Sequence, residues 1–417
     1  METTFVNATV YLPDQIAETP VTIADGRIAQ IGGSVLGDVI DASGLILAPA
    51  MIDVHGDAFE RQLMPRPGVF FPTQAAVIDT DRQLAANGIA TAYHAITLGW
   101  EPGLRDVTRS RDLIREIAAL APRLTVENRV QLRWETFAFE AIEVIKEALK
   151  GPLLPSIAFN DHTSMTMRAY DVAIQDRGFE LSPDFTTASL SDSRMKARTA
   201  KHAQRSGLTE DEYITLLSGV WARREKVPDT IREVARQGRA AGAPMLSHDD
   251  TRAQTRAWFR EIGAGVAEFP MVHEAVKAAR DNGDSIIFGA PNAARGGSHI
   301  GSLSAGDMVE EGLCDILASD YFYPAMLAAV ARLDSERRAD RLALWSLVSA
   351  GPARAMALTD RGQISPGKRA DLVLIDWPDG QAPSVLGTWV GGRAAYRGHP
   401  ATAPVPRTTV RTMETTT

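Results

Sequence analysis

The sequence predicts an α/β fold: a (β/α)8 barrel with a small β-sandwich domain formed by both termini. Through the middle of the chain, eight short apolar runs of strand character alternate with amphipathic helical stretches. That is the rhythm of a parallel sheet, and a count of eight favours a barrel over a doubly wound sheet. At both ends the texture changes to short alternating runs broken by turn signals. Of the 417 residues 45% are hydrophobic and 23% charged, which supplies a large core and excludes disorder along the whole length.

In chain order, residues 1–50 open the β domain. The run Val21-Thr22-Ile23-Ala24-Asp25-Gly26-Arg27-Ile28-Ala29-Gln30-Ile31 places Asp25-Gly26 at a hairpin turn. The same texture returns in Ala370-Asp371-Leu372-Val373-Leu374-Ile375-Asp376 and Gly387-Thr388-Trp389-Val390-Gly391-Gly392, so residues 363–400 are expected to complete that domain. Barrel strands are expected near 45–54, 89–97, 129–135, 155–161, 243–248, 265–269, 285–289 and 314–319, within a barrel spanning 51–362. The stretch of about 164–230 is polar and helix-prone, and reads as an insertion above the barrel. Residues 401–417 are Thr- and Pro-rich and read as a disordered tail.

Composition narrows the function. Asp plus Glu number 52 against 44 Lys plus Arg, a net charge of -8, which argues against a nucleic-acid wrapper or a polybasic membrane-surface protein. A small anionic substrate would need a local basic pocket. A single cysteine, Cys314, excludes an intramolecular disulfide and a multi-cysteine zinc cluster. The opening Met-Glu-Thr-Thr lacks a basic and apolar leader, and no run of about 18 apolar residues occurs. A cytoplasmic chain without membrane partners is therefore expected, and homo-oligomerisation is compatible with it.

The chemistry sits at strand ends. Met51-Ile52-Asp53-Val54-His55-Gly56-Asp57 is an apolar strand in which Asp53, His55 and Asp57 share a face by the period of two. Unpaired charges in a barrel core cost several kcal/mol each, so a metal ion or a hydrogen-bonded His-Asp cluster is required. Gln131-Leu132-Arg133-Trp134-Glu135, Phe159-Asn160-Asp161-His162, Leu246-Ser247-His248-Asp249-Asp250 and Leu317-Ala318-Ser319-Asp320 repeat the pattern of an apolar run ending in polar groups. In a parallel barrel these ends converge on one face. His55, His162 and His248 with Asp57, Glu135 and Asp320 suit one or two divalent metal ions, zinc first, with manganese or iron as alternatives.

These residues, framed by a split β domain, resemble the amidohydrolase superfamily of metal-dependent barrel hydrolases over nearly the whole chain. Several segments resemble one branch of it, the diphosphatases that act on the 5-triphosphate of α-D-ribose 1-methylphosphonate in phosphonate catabolism. They are His55-Gly56-Asp57-Ala58-Phe59-Glu60-Arg61, Met64-Pro65-Arg66-Pro67-Gly68, Thr80-Asp81-Arg82-Gln83-Leu84-Ala85-Ala86-Asn87-Gly88, Gly289-Ala290-Pro291-Asn292 and Arg295-Gly296-Gly297-Ser298-His299. The resemblance implies a hydrolase giving the 5-phosphate and pyrophosphate, with Asp320 both binding metal and accepting the proton of the attacking water. Two departures stand out. Asp57 replaces the second histidine of the usual His-x-His, and no lysine precedes Lys146, so Glu135 would have to carry any metal bridge. The family usually places the later histidines on strands five and six, whereas the count here gives four and five, which implies one strand missed.

Substrate contacts are expected from Arg295, Gly296, Gly297 and His299, whose guanidinium and permissive backbone can cradle phosphate oxygens, unless the segment is an ordinary loop. Arg61 and Arg66 could reach anionic oxygens above the metals or pair with Glu60 or Asp57. Arg133, on the face of Glu135, could contact substrate or neutralise the carboxylates, and the neutralising role is favoured. His94 on the second strand reads equally as substrate contact or core, and His273 as a helix start; His399 falls in the tail. Gly362-Gln363-Ile364-Ser365-Pro366-Gly367-Lys368-Arg369 imitates a phosphate-binding loop but lacks the Ser/Thr and the following helix, so it is read as a turn. Lys196 to Arg205 reads as a solvated helix face. The rival functions are hydrolysis of a C–N bond on the same fold, in an amide, cyclic amide or amino-heterocycle, and a non-catalytic, metal-free barrel.

Overall fold

The computed structural model describes residues 2–298 and 301–398. Eight parallel strands form one sheet in strict chain order: β1 (Met51–Gly56), β2 (Ile89–Leu98), β3 (Glu127–Glu135), β4 (Ser156–Asn160), β5 (Met245–His248), β6 (Val266–Glu268), β7 (Ser285–Gly289) and β8 (Ile316–Ala318). A parallel bridge between Gly56 and Asp320 joins the last strand to the first and closes the barrel. All eight expected strands are present, so no strand was missed. His162 does follow the fourth strand, and His248 does end the fifth. One expectation is corrected: the run 45–54 is two strands. Ile46–Pro49 belongs to a terminal sheet and Met51–Gly56 to the barrel. Pro49 has no N–H to continue the ladder, and the amide of Ala50 turns to the Asp371 carbonyl at 3.0 Å.

Inside the barrel, Ile52, Val54, Tyr93, Ala158, Leu246, Val266, Ile287 and Ile316 pack together. Their branched and aromatic side chains fill the lumen, so polar residues are confined to its ends. Helices such as Thr73–Ala86, Val107–Leu120, Val227–Ala241 and Ala325–Ser335 cover the outside. Between β4 and its covering helix Val227–Ala241 the chain inserts an irregular segment, 168–192, and the helices Ser193–Ser206 and Glu210–Trp221. Glu101, in the loop after β2, ties these helices down by accepting from His202 Nδ1 at 2.8 Å, Arg205 Nη2 at 2.7 Å and the Tyr213 hydroxyl at 2.5 Å. The basic run on Ser193–Ser206 is thus only partly a solvated face. Among the described residues no helix is long and apolar enough to cross a membrane.

Both chain ends build the β region. Leu372–Asp376 pairs antiparallel with Ile46–Pro49 at the centre of a six-stranded sheet, and Glu2–Val6 lies in a four-stranded sheet. Phe5, Val10, Val21, Ile23, Leu47, Leu372, Leu374 and Trp389 form their shared core. Val21–Ala24 and Arg27–Ile31 pair as a hairpin. Asp25 and Gly26 both have positive φ, 49° and 78°, as a tight turn between twisted strands demands. Residues 362–369 form a turn docked on that hairpin through Gly367 N to Ile28 O at 2.8 Å. The expected disordered tail and His399 lie outside the described residues.

Barrel closure explains Gly56. A Cβ there would lie 2.5 Å from Asp53 Oδ2 and 3.0 Å from Ser319 Oγ. Asp53, fully buried, accepts from the Ser319 amide at 3.0 Å and its hydroxyl at 2.5 Å, stapling β1 to the end of β8. Its contribution is therefore to closure, although periodicity placed it beside His55 and Asp57. Gly56→Ala is expected to cost about 1–3 kcal/mol by overpacking, measured as a lowered urea midpoint at unchanged slope.

Candidate active site

The C-terminal ends of the strands carry an open cavity whose wall includes His55, Asp57, Arg105, Arg133, His248, Asp249 and Asp320. Strand register sets the neighbours. β5 and β6 align His248 with Glu268, and β3 and β4 align Glu135 with Asn160. Glu268, buried with no exposed surface, holds two imidazoles at once: His55 Nδ1 donates to Oε1 at 2.9 Å and His248 Nδ1 to Oε2 at 2.8 Å. Gln131 Nε2 adds a third bond to Oε1 at 2.7 Å. Burial pushes the Glu268 carboxyl up, but the facing imidazoles outweigh it and hold the group well below the usual carboxylate range. On the other side His162 Nδ1 donates to Glu135 Oε1 at 2.5 Å, and the His162 amide to Oε2 at 3.2 Å. Glu135 is likewise held low, the His162 contact outweighing burial.

Each of the three imidazoles thus has its Nδ1 engaged by a buried carboxylate. That arrangement fixes the tautomer with Nε2 available as a lone-pair donor, as carboxylates behind metal-bound histidines do. Two neighbouring groups present ligand atoms within 4.8 Å of one another: His55 with Asp57 and Asp320, and His162 with His248 and Asp249. His55, His248 and Glu268 also cluster, but there Glu268 serves as hydrogen-bond acceptor. The nitrogen and oxygen donors of the two open groups suit a divalent ion. Charge points the same way: Asp57, Asp249 and Asp320 share the cavity wall with the guanidiniums of Arg105 and Arg133, and Glu135 and Glu268 stand directly behind its imidazoles.

Two of these ligand candidates have strained backbone. Asp249 and Asp320 have φ of 58° and 54°, a left-handed conformation uncommon outside glycine and found where function dictates geometry. The Asp320 amide donates to the His55 carbonyl, and the Asp57 amide to the Asp320 carbonyl, both at 2.9 Å. The closure of the barrel therefore sets the position of its last aspartate. Burial pushes the Asp320 carboxyl up to about 6, with His55 opposing the rise and Asp57 adding to it.

The arginines are arranged differently from expectation. Arg133 lies within the site: Nη1 is 3.5 Å from Asp57 Oδ2, Nε donates to Asn160 Oδ1 at 3.2 Å, and Nη2 donates to His248 Nε2 at 3.3 Å. This fits the neutralising assignment. Arg105, which sequence reasoning missed, makes a forked pair with Glu60 at 2.7 and 2.8 Å and stands 3.7 Å from Asp57. Asp57 and Glu60 are therefore engaged by Arg105 and Arg133. Arg61, Arg66 and Arg295 are exposed and outside the cavity wall. Gly296 packs beneath the Arg332 guanidinium, while Gly297 has open space where a Cβ would lie. From that segment Ser298 reaches the wall; His299 lies outside the described residues.

Glu135 falls outside the metal-capable groups and stands behind His162 as its hydrogen-bond acceptor. Asp249 and Glu268, like Arg105, are site residues that sequence reasoning passed over. Both end an apolar strand run, the criterion that selected Asp320. His94 is a core histidine: its Nε2 donates to Asn128 Oδ1 at 2.7 Å and its ring meets Phe59 edge-on. His273 begins the helix His273–Arg280, as expected.

Residues 106–396 match the amidohydrolase family. The chain is 28% identical over 382 residues to the α-D-ribose 1-methylphosphonate 5-triphosphate diphosphatase of Escherichia coli (strain K12), covering 88% of this chain and 93% of the relative. It is 32% identical over 118 residues to a dihydroorotase of Lactobacillus helveticus, covering 28% of this chain and 24% of the relative. The crystal structure of an amidohydrolase from an environmental sample of the Sargasso Sea superposes with a TM-score of 0.61 at 15% identity, covering 95% of this chain and 93% of that one.

Proposed function

Because the chain belongs to the amidohydrolase family, we propose that it is a metal-dependent hydrolase that splits the 5-triphosphate of α-D-ribose 1-methylphosphonate into the 5-phosphate and pyrophosphate. The observation carrying the substrate is the similarity to the Escherichia coli diphosphatase, which runs through 88% of this chain. The dihydroorotase similarity spans only 28% of it, and favours hydrolysis of a C–N bond on the same fold as the second reading.

A divalent ion held by His55, Asp57 and Asp320, by His162, His248 and Asp249, or by both groups would supply Lewis acidity and a lowered pKa for bound water. The chain's own residues do the rest. Asp320, whose carboxylate lies in the group with His55 and Asp57, would take the proton of the attacking water. Glu268 and Glu135 orient the imidazoles. Arg105 and Arg133 offer guanidinium donors to anionic oxygens as charge spreads in the transition state.

Assay of pyrophosphate release from the ribose triphosphate, against ammonia or carboxylate release from neutral amides and amino-heterocycles, separates the two readings. Release from the neutral compounds alone would replace the first by the second. For the triphosphate, Arg105→Ala is expected to lower kcat/KM by about tenfold to a hundredfold, the scale of one lost charge-assisted contact. Arg295→Ala, exposed and off the wall, serves as the control.

A further inference from the structure

The inserted segment 168–192 buries a charged side chain against the loop after β5. Arg177 is almost wholly buried, at 2% exposure, and each of its three guanidinium nitrogens is engaged. Nε donates to Glu180 Oε1 at 2.5 Å, Nη1 to the Ile174 carbonyl at 2.9 Å and to Met271 Sδ at 3.1 Å, and Nη2 to the carbonyl of Asp249. The Arg177 carbonyl in turn accepts from Thr251 Oγ1 at 2.9 Å. The insertion is thus locked to the loop after β5 at Asp249 itself and at Thr251 just beyond it.

Asp249 needs such a lock. Its amide still bonds the Glu268 carbonyl at 2.9 Å, but its φ of 58° turns the chain out of the sheet. A buried carbonyl without a partner is costly, and a non-glycine residue in this conformation persists only where its surroundings over-determine it. Arg177 provides a charged donor from outside the barrel. The consequence falls on the carboxylate, whose Oδ2 lies 3.6 Å from His248 Nε2 and 3.9 Å from His162 Nε2. Arg177, Glu180, His162, His248 and Asp249 all line one narrow cavity behind the site.

We propose that Arg177 is a positioning residue for the group His162, His248 and Asp249, holding the Asp249 backbone in the left-handed turn that aims its carboxylate at the two imidazoles. The inference rests on the metal reading above, and it gives the insertion a role in building the site.

The test is zinc affinity of the full-length chain, stripped of metal and titrated against a chromophoric chelator. Arg177→Met alone strands the buried Glu180 charge and can unfold the protein, so the informative variant is Arg177→Met with Glu180→Gln, compared with Glu180→Gln alone. The single Glu180→Gln variant keeps the Asp249 contact and should bind zinc as the wild type does. The double variant should bind about tenfold to a hundredfold more weakly, the scale for outer partners of metal ligands. In an Asp249→Ala background the Arg177 substitution should add nothing further, because its effect passes through that residue. Zinc binding at wild-type strength by the double variant, or an undiminished loss in the Asp249→Ala background, overturns the proposal alone. A wild type that binds no zinc, manganese or iron removes the metal reading and the proposal with it.

Discussion

Glu268→Gln is expected to weaken metal binding by about tenfold to a hundredfold and to cost about 1–3 kcal/mol of stability. The carboxylate accepts three hydrogen bonds from within the barrel, from His55, His248 and Gln131. A carboxamide of the same shape offers one accepting oxygen and one NH2, so an N–H must face another N–H. One imidazole then flips its tautomer or leaves its position, and its Nε2 is no longer presented to the cavity. Because the side chain has no exposed surface, water cannot repair the mismatch. Elemental analysis after purification without chelator, together with urea unfolding, would check both halves. A variant with native metal content and native stability would show that the two histidines do not depend on this carboxylate.

How much of this was legible before the fold was known follows from what each inference needed. Strand positions needed only local patterning, and all eight barrel strands lie where apolar runs placed them. The split at Pro49 was missed because Ile46-Leu47-Ala48-Pro49-Ala50-Met51-Ile52 is one uninterrupted apolar run, and only the pairing partners differ on its two halves. His55, His162, His248 and Asp320 were legible because a parallel barrel brings strand ends together whatever their separation in sequence. Glu268 met the same criterion, but its strand, Val266–Glu268, has three residues, and the strand expected over 265–269 ran on past it through Phe269.

The arginines show the limit. Arg61 and Arg66 follow the first strand and Arg295 precedes a glycine-rich stretch suited to phosphate, but all three side chains are exposed. Arg105 enters the wall from the loop after β2, anchored by Glu60 at the start of the short helix after β1. Arg177 lies in a polar insertion without regular structure. Neither position follows from periodicity, because both depend on tertiary contacts between loops.

Asp320→Asn should separate proton transfer from metal retention. Asparagine is the substitution of choice because it keeps the shape of the side chain and, among non-glycine residues, tolerates the left-handed backbone at this position, where φ is 54°. The backbone bonds to His55 and Asp57 that close the barrel involve no side-chain atom, so they survive. One ligand oxygen remains in the group with His55 and Asp57, and the second group, His162 with His248 and Asp249, is untouched. Metal content should therefore stay close to that of the wild type, whereas the carboxamide cannot accept the proton of the attacking water. Turnover should fall by on the order of a hundredfold or more, the usual scale for removing a general base. The loss should appear in kcat, with KM little changed, since the lost function belongs to the transition state and not to substrate binding. A variant with full metal content and native turnover would remove Asp320 from the role of proton acceptor. Loss of metal in step with activity would instead make it a ligand alone.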